Sequence, residues 1–454
     1  MSSTPETSIK APPRTFFPML LAIGPGIVVT GSVMGSGELI NTPIQAAKFG
    51  FILLWAVLLS CVIKIFVQIE IGRHAIAHRR TTFEMLNTIP GPQWRKTGWV
   101  GLLYMAGVGF TAFTYPGMLK AIGGMMQMIV PLHGNLGSWT PANTWAVVSA
   151  LSVFVLLWRD SYEELEHLIT VMVGAFSLTS LVAIVMIQRT EYAISWSELA
   201  SGMTFSMSTK ETAFAVVSLM GALGTAGNEL FMYPYWILER GYASYVGEDK
   251  DDQWVSRARG WIKVMQLDTT FCTLLTAATT AAFFLMGAAV FHRRGVVPGN
   301  DTIIDQLSQV FTESFGPWSK IFFLIGAFCT LFSTLVVAIA AGCRMWTDMF
   351  ASLGFLDGHD HRALRRGHRT VAVIYVGTAT LIAVGTSFDP GVLIQFSQFV
   401  LGVFSTPILM LAIGWLAMHT DERIRMSRKL AVPLWLSIIL VVASLVYAGV
   451  HKMM

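Results

Sequence analysis

Charge is scarce in this chain. Asp, Glu, Lys and Arg make up 13% of its 454 residues, against 54% hydrophobic, where a soluble globular domain carries roughly 25% charged. Separate apolar runs of about 20 residues recur over nearly the whole length, each long enough to cross a hydrocarbon core of ~30 Å. A large soluble protein with buried helices is excluded on that ground, and the chain reads as a polytopic membrane protein. Cysteine is rarer still. Cys61, Cys272, Cys329 and Cys343 all sit in apolar segments, where a free thiol behaves as a small hydrophobe, and no spacing makes a metal cluster or a disulfide framework. A cleavable signal is missing too: MSSTPETSIKAPPRTFF carries Pro12 and Pro13, with no small-residue cleavage site after its first apolar segment. No Walker sequence is present, so uphill movement would draw on an ion gradient. No Ser-His-Asp arrangement is present, and the chain is read as neither an enzyme nor a nucleic-acid binder.

What is there divides into eleven spans. The first covers about 18–48 and is broken. The others lie near 50–71, 99–130, 143–158, 165–187, 212–238 (also broken), 261–291, 317–342, 370–387, 391–413 and 431–450. With the N-terminus in the cytoplasm, the loops on that side hold 22 Lys and Arg and the outer loops 6, the bias that sets membrane orientation. One span more or fewer would spoil the alternation. This predicts an all-α, multi-pass protein of the cell membrane. The loop DGHDHRALRRGHR (357–369) holds His359, His361 and His368 among arginines and reads as a solvated topogenic loop, a metal-sensing role being the alternative.

Two spans carry a break, MGSGEL (34–39) and LGTAGNEL (223–230). Each sets small residues beside a glutamate followed by leucine. Within hydrocarbon, non-helical backbone survives only where protein or a water-filled cavity covers it. A broken helix frees carbonyls that bind cations and amides that face anions, and a carboxylate tips the balance toward a cation. Glu38 and Glu229 occupy comparable positions in the two breaks, and intramembrane ionisable groups mark pathways. Facing one cavity, they would titrate as a coupled pair, which suits proton linkage. The alternative is that the glycines serve close helix packing, with the glutamates paired to backbone amides or to a neighbour such as Lys48. Weaker polar signals are Asp268, read as lining a vestibule or pairing near the surface; Gln395, Ser397 and Gln398, read as interhelical hydrogen-bonders; and Lys64 and Glu70, read as snorkelling from the second span.

The chain resembles the natural resistance-associated macrophage protein (Nramp) family of divalent metal transporters over residues 18–415. The resemblance rests on GPG (24–26), AAKFGFILLWAVLL (46–59), QIEIGRHAI (68–76), YEELEHLITVMV (162–173) and SQ (397–398). It implies a 5+5 inverted repeat of the sodium-coupled amino-acid transporter type, with helices 1 and 6 discontinuous, alternating access and, usually, proton coupling. The halves would then be 18–187 and 212–413, after a cytoplasmic tail (1–17) and before an additional helix (431–450). The departures fall on the implied site. Where the family's first break reads Asp-Pro-Gly-Asn, this chain has Gly35, Ser36, Gly37 and Glu38. Where the sixth span reads Met-Pro-His-Asn-Leu-Phe, it has Ala226, Gly227, Asn228, Glu229, Leu230 and Phe231, and the second family His aligns with Tyr233. The thioether that favours softer metals is gone, leaving an all-oxygen set that suits Mg²⁺, Ca²⁺ or Mn²⁺. The third span lacks the family's acidic residues, its lone charge being Lys120, and the ninth lacks the basic ones, so coupling is either absent or runs through the glutamates.

The substrate contacts expected are Glu38 and Glu229, carbonyls near Gly35 and from Gly224 to Gly227, and Gln398 closing from the tenth helix. Two rivals stay open. One is a transporter of a small organic or amine-bearing solute, for which Gly35, Ser36 and Ala226 leave room. The other is a membrane sensor or scaffold that transports nothing. No cofactor is expected beyond a transported cation. The partners are that solute, the lipid bilayer and, if coupling holds, protons. A carrier of this kind can work as a monomer.

Overall fold

The structure, a computed structural model, describes residues 9–35, 37–134, 139–206, 209–219, 223, 228–248, 253–299, 303–358, 360–386 and 405–453. Apart from a two-residue antiparallel hairpin that pairs Gln93 with Gly98 and Trp94 with Thr97, the described elements are helical.

Seven helices among the described residues are long and apolar enough to cross a membrane: Gly37–His78, Trp99–Ile129, Pro141–Arg159, Tyr162–Ile187, Trp254–His292, Pro317–Ser352 and His361–Gly385. The sequence led to eleven. Expected spans one and two run together in Gly37–His78, a stretch that turns at Gly50, whose φ of 65° ends the helix Thr42–Phe49 and is open chiefly to glycine. Of the sixth, Lys210–Leu219, Leu223, Asn228–Phe231 and Tyr233–Arg240 are described. Of the tenth, Thr406–Met418 is described. The eleventh is the helix Arg428–Met453.

Local chemistry sets these ends. Ser161 accepts the Glu164 amide at 3.4 Å ahead of Tyr162–Ile187, whose first turn carries Glu163 and Glu164, a favourable sign for a helix N-terminus. Pro141 opens Pro141–Arg159, where its missing N–H costs nothing. The third span is jointed between Trp99–Thr111 and Thr114–Ile129, two residues before Pro116, which has no amide to carry the ladder on.

The helix Pro25–Val33 packs against Tyr162–Ile187, Trp254–Met286 and Pro317–Ser352. Large apolar side chains such as Leu151, Val155, Leu178, Val185, Leu381 and Leu436 point outward from the peripheral helices. In water such a surface would aggregate; here it is the face that lipid covers. The polar residues of the central helices are thereby shut inside.

Candidate substrate site at the helix breaks

The helix Pro25–Val33 stops at Met34, whose ψ of 74° leaves the helical region. The chain re-enters through a wide turn at Gly37–Asn41 and continues as Thr42–Phe49. Glu38 stands in that turn at 2% exposure, and its Oε2 accepts the Gly35 amide at 3.0 Å. The carboxylate therefore holds a donor that the break sets loose, as the packing alternative anticipated for its pairing.

The carbonyls near the break are not left open as the sequence reading had them. Thr334, on Pro317–Ser352, donates within 3.1 Å of the Gly31 oxygen and 3.2 Å of the Met34 oxygen, and Ser333 donates to Gly31 at 2.9 Å. The Gly35 carbonyl accepts Leu39 at 3.0 Å, and that of Gly37 accepts the Thr42 hydroxyl at 3.1 Å. A buried carbonyl must find a donor, and hydroxyls of a neighbouring helix meet that need. A Cβ at Gly35 would lie 2.8 Å from Thr334 Cγ2 and Oγ1, so glycine is what lets the two backbones approach. Ser32, Thr279 and Thr280 are buried with hydroxyls that have no hydrogen-bond partner among the described residues. These are oxygens to spare for water or a solute.

At the second break Asn228 and Glu229 open the short helix Asn228–Phe231; their side chains lie outside the described residues, as do Ser36, Gly224, Ala226, Gly227, Gln395, Ser397 and Gln398. The Leu223 carbonyl is described, and it accepts the Lys64 ammonium at 3.3 Å. Lys64 does not snorkel. It is 6% exposed on the helix Leu54–His78, 10 and 14 residues from its ends. At 1.5 Å per residue that is about 15 and 21 Å, beyond a lysine's reach. Glu70 does not snorkel either: buried, it pairs with buried Arg73, whose Nη1 donates to the Ile424 carbonyl at 3.0 Å.

Asp268 neither lines a vestibule nor sits near the surface. It is 0% exposed and accepts the Gly24 amide at 3.3 Å, the Gly26 amide at 2.7 Å and the Tyr233 hydroxyl at 3.1 Å. A Cβ at Gly26 would sit 2.8 Å from its carboxyl carbon. The motif GPG is thus a seat for a carboxylate at a helix N-terminus, and one side chain ties the half-helix before the first break to the half-helix after the second.

A polar network that the sequence did not announce closes one end of the bundle. Arg344 forks onto Glu239, with Nη2 to Oε2 at 3.0 Å, and reaches Asp160 at 3.5 Å. His368 meets Asp160 at 3.1 Å, so it is built into the fold rather than being part of a solvated loop, and His359 lies outside the described residues. Burial pushes the Asp160 carboxyl up, but the His368 hydrogen bond and the charges of Arg344, His368 and Arg365 outweigh it and hold the group below its ordinary range. Beside this network a cavity of about 930 Å³ is lined by residues that include Arg79, Arg80, Lys96, Glu239, Arg344 and Asp348. Loops assigned to one side by their charge do meet at one end. Among the described residues no three His, Cys, Asp or Glu side chains gather as a metal site.

Known proteins resemble the chain throughout. The family described as "Natural resistance-associated macrophage protein-like" matches residues 26–451. The divalent metal cation transporter MntH of Agrobacterium fabrum is 22% identical over 446 residues, 98% of this chain and 88% of that protein. MntH of Nostoc sp. is 23% identical over 464 residues, 99% and 94% of the two. Among solved structures, the Eremococcus coleocola manganese transporter in complex with an aromatic bis-isothiourea substituted compound superposes with a TM-score of 0.68 at 18% identity, over 98% of this chain and 90% of that one. MhsT in complex with L-phenylalanine gives 0.60 at 13% identity, over 97% and 99%. The fold is the 5+5 inverted repeat with discontinuous first and sixth helices. On this evidence, the chain belongs to the Nramp family of membrane transporters.

Proposed function

We propose that the protein moves a divalent cation across the membrane by alternating access, as a secondary-active carrier or a facilitator, with the paired helix breaks as its binding site. One observation carries the reading: a carboxylate, Glu38, sits buried at 2% exposure on a wide π-helical turn just past the break at Met34, within a membrane-spanning segment. Such a group is costly in hydrocarbon and persists where a pathway needs it. The family's relatives named as divalent metal cation transporters support the substrate class. Glu229, at the start of Asn228–Phe231, is the proposed second carboxylate. Backbone carbonyls from Gly224 to Gly227 and Gln398 complete a hard, all-oxygen shell suited to Mg²⁺ or Mn²⁺.

The count of eleven spans, the cytoplasmic N-terminus and action as a monomer belong to the same proposal. So does coupling to protons through the glutamates, the third span offering Lys120 instead of acidic groups. A second reading, an amine-bearing solute, draws on one contact: the Leu223 carbonyl already takes an ammonium.

The test is uptake by purified protein in liposomes across divalent cations and small amines, with an internal pH dye. Saturable Mg²⁺ or Mn²⁺ uptake that Glu38→Gln and Glu229→Gln each abolish is the expected result. Uptake untouched in both variants would remove the breaks as the site, and saturable uptake of amines alone would replace the substrate class.

A further inference from the structure

We propose that the N-terminal tail and the start of the helix Trp254–Met286 together form a site for the phosphate headgroup of an anionic membrane lipid. The site is separate from the helix breaks and stands whichever solute is carried.

The tail is fixed in place. The Lys10 amide donates to the Tyr245 carbonyl at 3.1 Å, the Lys10 carbonyl accepts the Trp261 indole N–H at 3.0 Å, and the Lys10 ammonium lies over the Tyr245 ring. A Cβ at Gly260 would fall 2.2 Å from Pro12 Cγ, so glycine is what lets the tail lie flat on the helix. Tail and helix enclose a cavity of about 990 Å³, lined by Arg14 from the tail and by Ser256, Arg259 and Lys263 from the helix. Residues three and four apart share one face of a helix, and these three do. Arg14, Arg259 and Lys263 are exposed, and among the described residues none of them is in an ion pair. Arg259 directs Nε and Nη2 at the Arg423 carbonyl, at 3.1 and 2.7 Å, a group that carries no charge. Among the described residues that line the cavity there is no carboxylate. Three cations thus converge on one space, where an anion turns their mutual repulsion into attraction.

The neighbouring surface says what carries the anion. Past Arg14 the tail enters the short helix Phe16–Leu21, which packs against Trp254–Met286. Met19 lines the cavity, whereas Phe16, Phe17 and Leu21 are 66%, 67% and 70% exposed. Such side chains belong where headgroups give way to acyl chains. A soluble anion would use the cations alone. A lipid uses both features: its phosphate takes charge-assisted hydrogen bonds from Arg14, Arg259 and Lys263, and its chains run along the apolar face. Basic pockets at the ends of membrane helices hold anionic headgroups for this reason. Bound in this way, the lipid bridges the tail to Trp254–Met286 just ahead of Pro25–Val33, the half-helix that leads to the first break.

The experiment is native mass spectrometry of the purified full chain, titrated with phosphatidylglycerol or phosphatidylcholine, with inorganic phosphate as competitor. The wild type is expected to retain one phosphatidylglycerol under conditions that strip phosphatidylcholine, whose headgroup is neutral overall. Arg14→Gln combined with Lys263→Gln is expected to weaken that binding about tenfold or more. Arg366→Gln, which removes an exposed cation outside the cavity, is expected to leave it unchanged. Equal retention of the two lipids, or an equal loss in Arg366→Gln, would mean unspecific attraction and overturns the proposal. Displacement of phosphatidylglycerol by inorganic phosphate would make this a site for a soluble anion and overturns the lipid as its occupant. Should the double variant not fold, the structure of the wild type with phosphatidylglycerol decides. A headgroup phosphate within hydrogen-bond reach of Arg14 and Lys263 is expected, and lipid bound only elsewhere overturns the proposal.

Discussion

The first helix break and the Leu223 carbonyl ahead of Asn228 are satisfied by opposite kinds of group. At Met34–Asn41 the loosened backbone is tied by neutral hydroxyls and one local carboxylate: Glu38 takes the Gly35 amide, Thr334 and Ser333 take the carbonyls of Gly31 and Met34, and Thr42 takes that of Gly37. Ahead of Asn228 the Leu223 carbonyl is tied by a charged amine from another helix. A break in hydrocarbon must satisfy its own polar groups. The first does so with hydroxyls and a carboxylate, whereas the described carbonyl ahead of Asn228 is met by an ammonium.

The largest effect that would break this comparison is at Glu38. Gln in its place can still accept the Gly35 amide, so the fold should hold, with a melting temperature close to wild type by fluorescence-monitored unfolding. Saturable Mn²⁺ uptake should fall to background. Retained uptake would make Glu38 a cap and nothing more.

Next comes Asp268, which ties the outer half-helices of both breaks through Gly24, Gly26 and Tyr233. Asp268→Ala leaves three buried donors unpaired and should destabilise the protein by about 3 kcal/mol, since each orphaned group costs roughly 1–3. Hydrogen exchange should quicken in Pro25–Val33 and in Tyr233–Arg240 together. Faster exchange in one alone would mean that the breaks are not mechanically joined.

Thr334→Val tests the neutral closure. It removes the hydroxyl facing the Gly31 and Met34 carbonyls and keeps the shape, for a loss of about 1–2 kcal/mol read as a lower melting temperature. An unchanged value would show that Ser333 suffices to hold that side of the first break.

The smallest effect lies outside both breaks and calibrates them. Asp160 is held below its ordinary range, so its contribution to stability is complete above the usual aspartate value of about 3.9 and is lost as pH falls through its lower folded value. Wild type should therefore melt above Asp160→Asn at pH 7 and pH 5, with the gap closing as the pH drops below about 4. A gap that persists at low pH would assign the network's strength to packing instead of charge.

Much of this was legible in the residues. Gly35, Gly37 and Glu38 announced an interruption in an apolar run, and the interruption is there. The pattern at Leu223–Leu230 announced its counterpart, whose residues 224–227 lie outside the described ones. What did not show was who closes the breaks, because the partners are far away in sequence: Thr334 is 303 residues from Gly31, and Asp268 is 242 from Gly26. Hydroxyls in apolar helices are too common to be singled out without their neighbours. Arg344, Glu239, Asp160 and His368 looked like loop charges and form one network for the same reason. Lys64 differs, since its error was readable. A lysine in the middle of a 25-residue helix is farther from either interface than its stem can reach, and the helix rise alone argues that it points inward to a partner. Eleven spans were read, the first and sixth as broken, whereas expected spans one and two run together in Gly37–His78, so hydropathy alone could not locate their ends.

The claim on which the rest depends is that Glu38 holds the transported cation. The most direct measurement is anomalous diffraction at the manganese edge from crystals of the wild type grown with Mn²⁺. The account predicts a peak between the two breaks with a Glu38 carboxylate oxygen about 2.0–2.6 Å away. A peak confined to the cavity beside Asp348 and Arg79, with Glu38 still turned to the Gly35 amide and no ion near it, would contradict it.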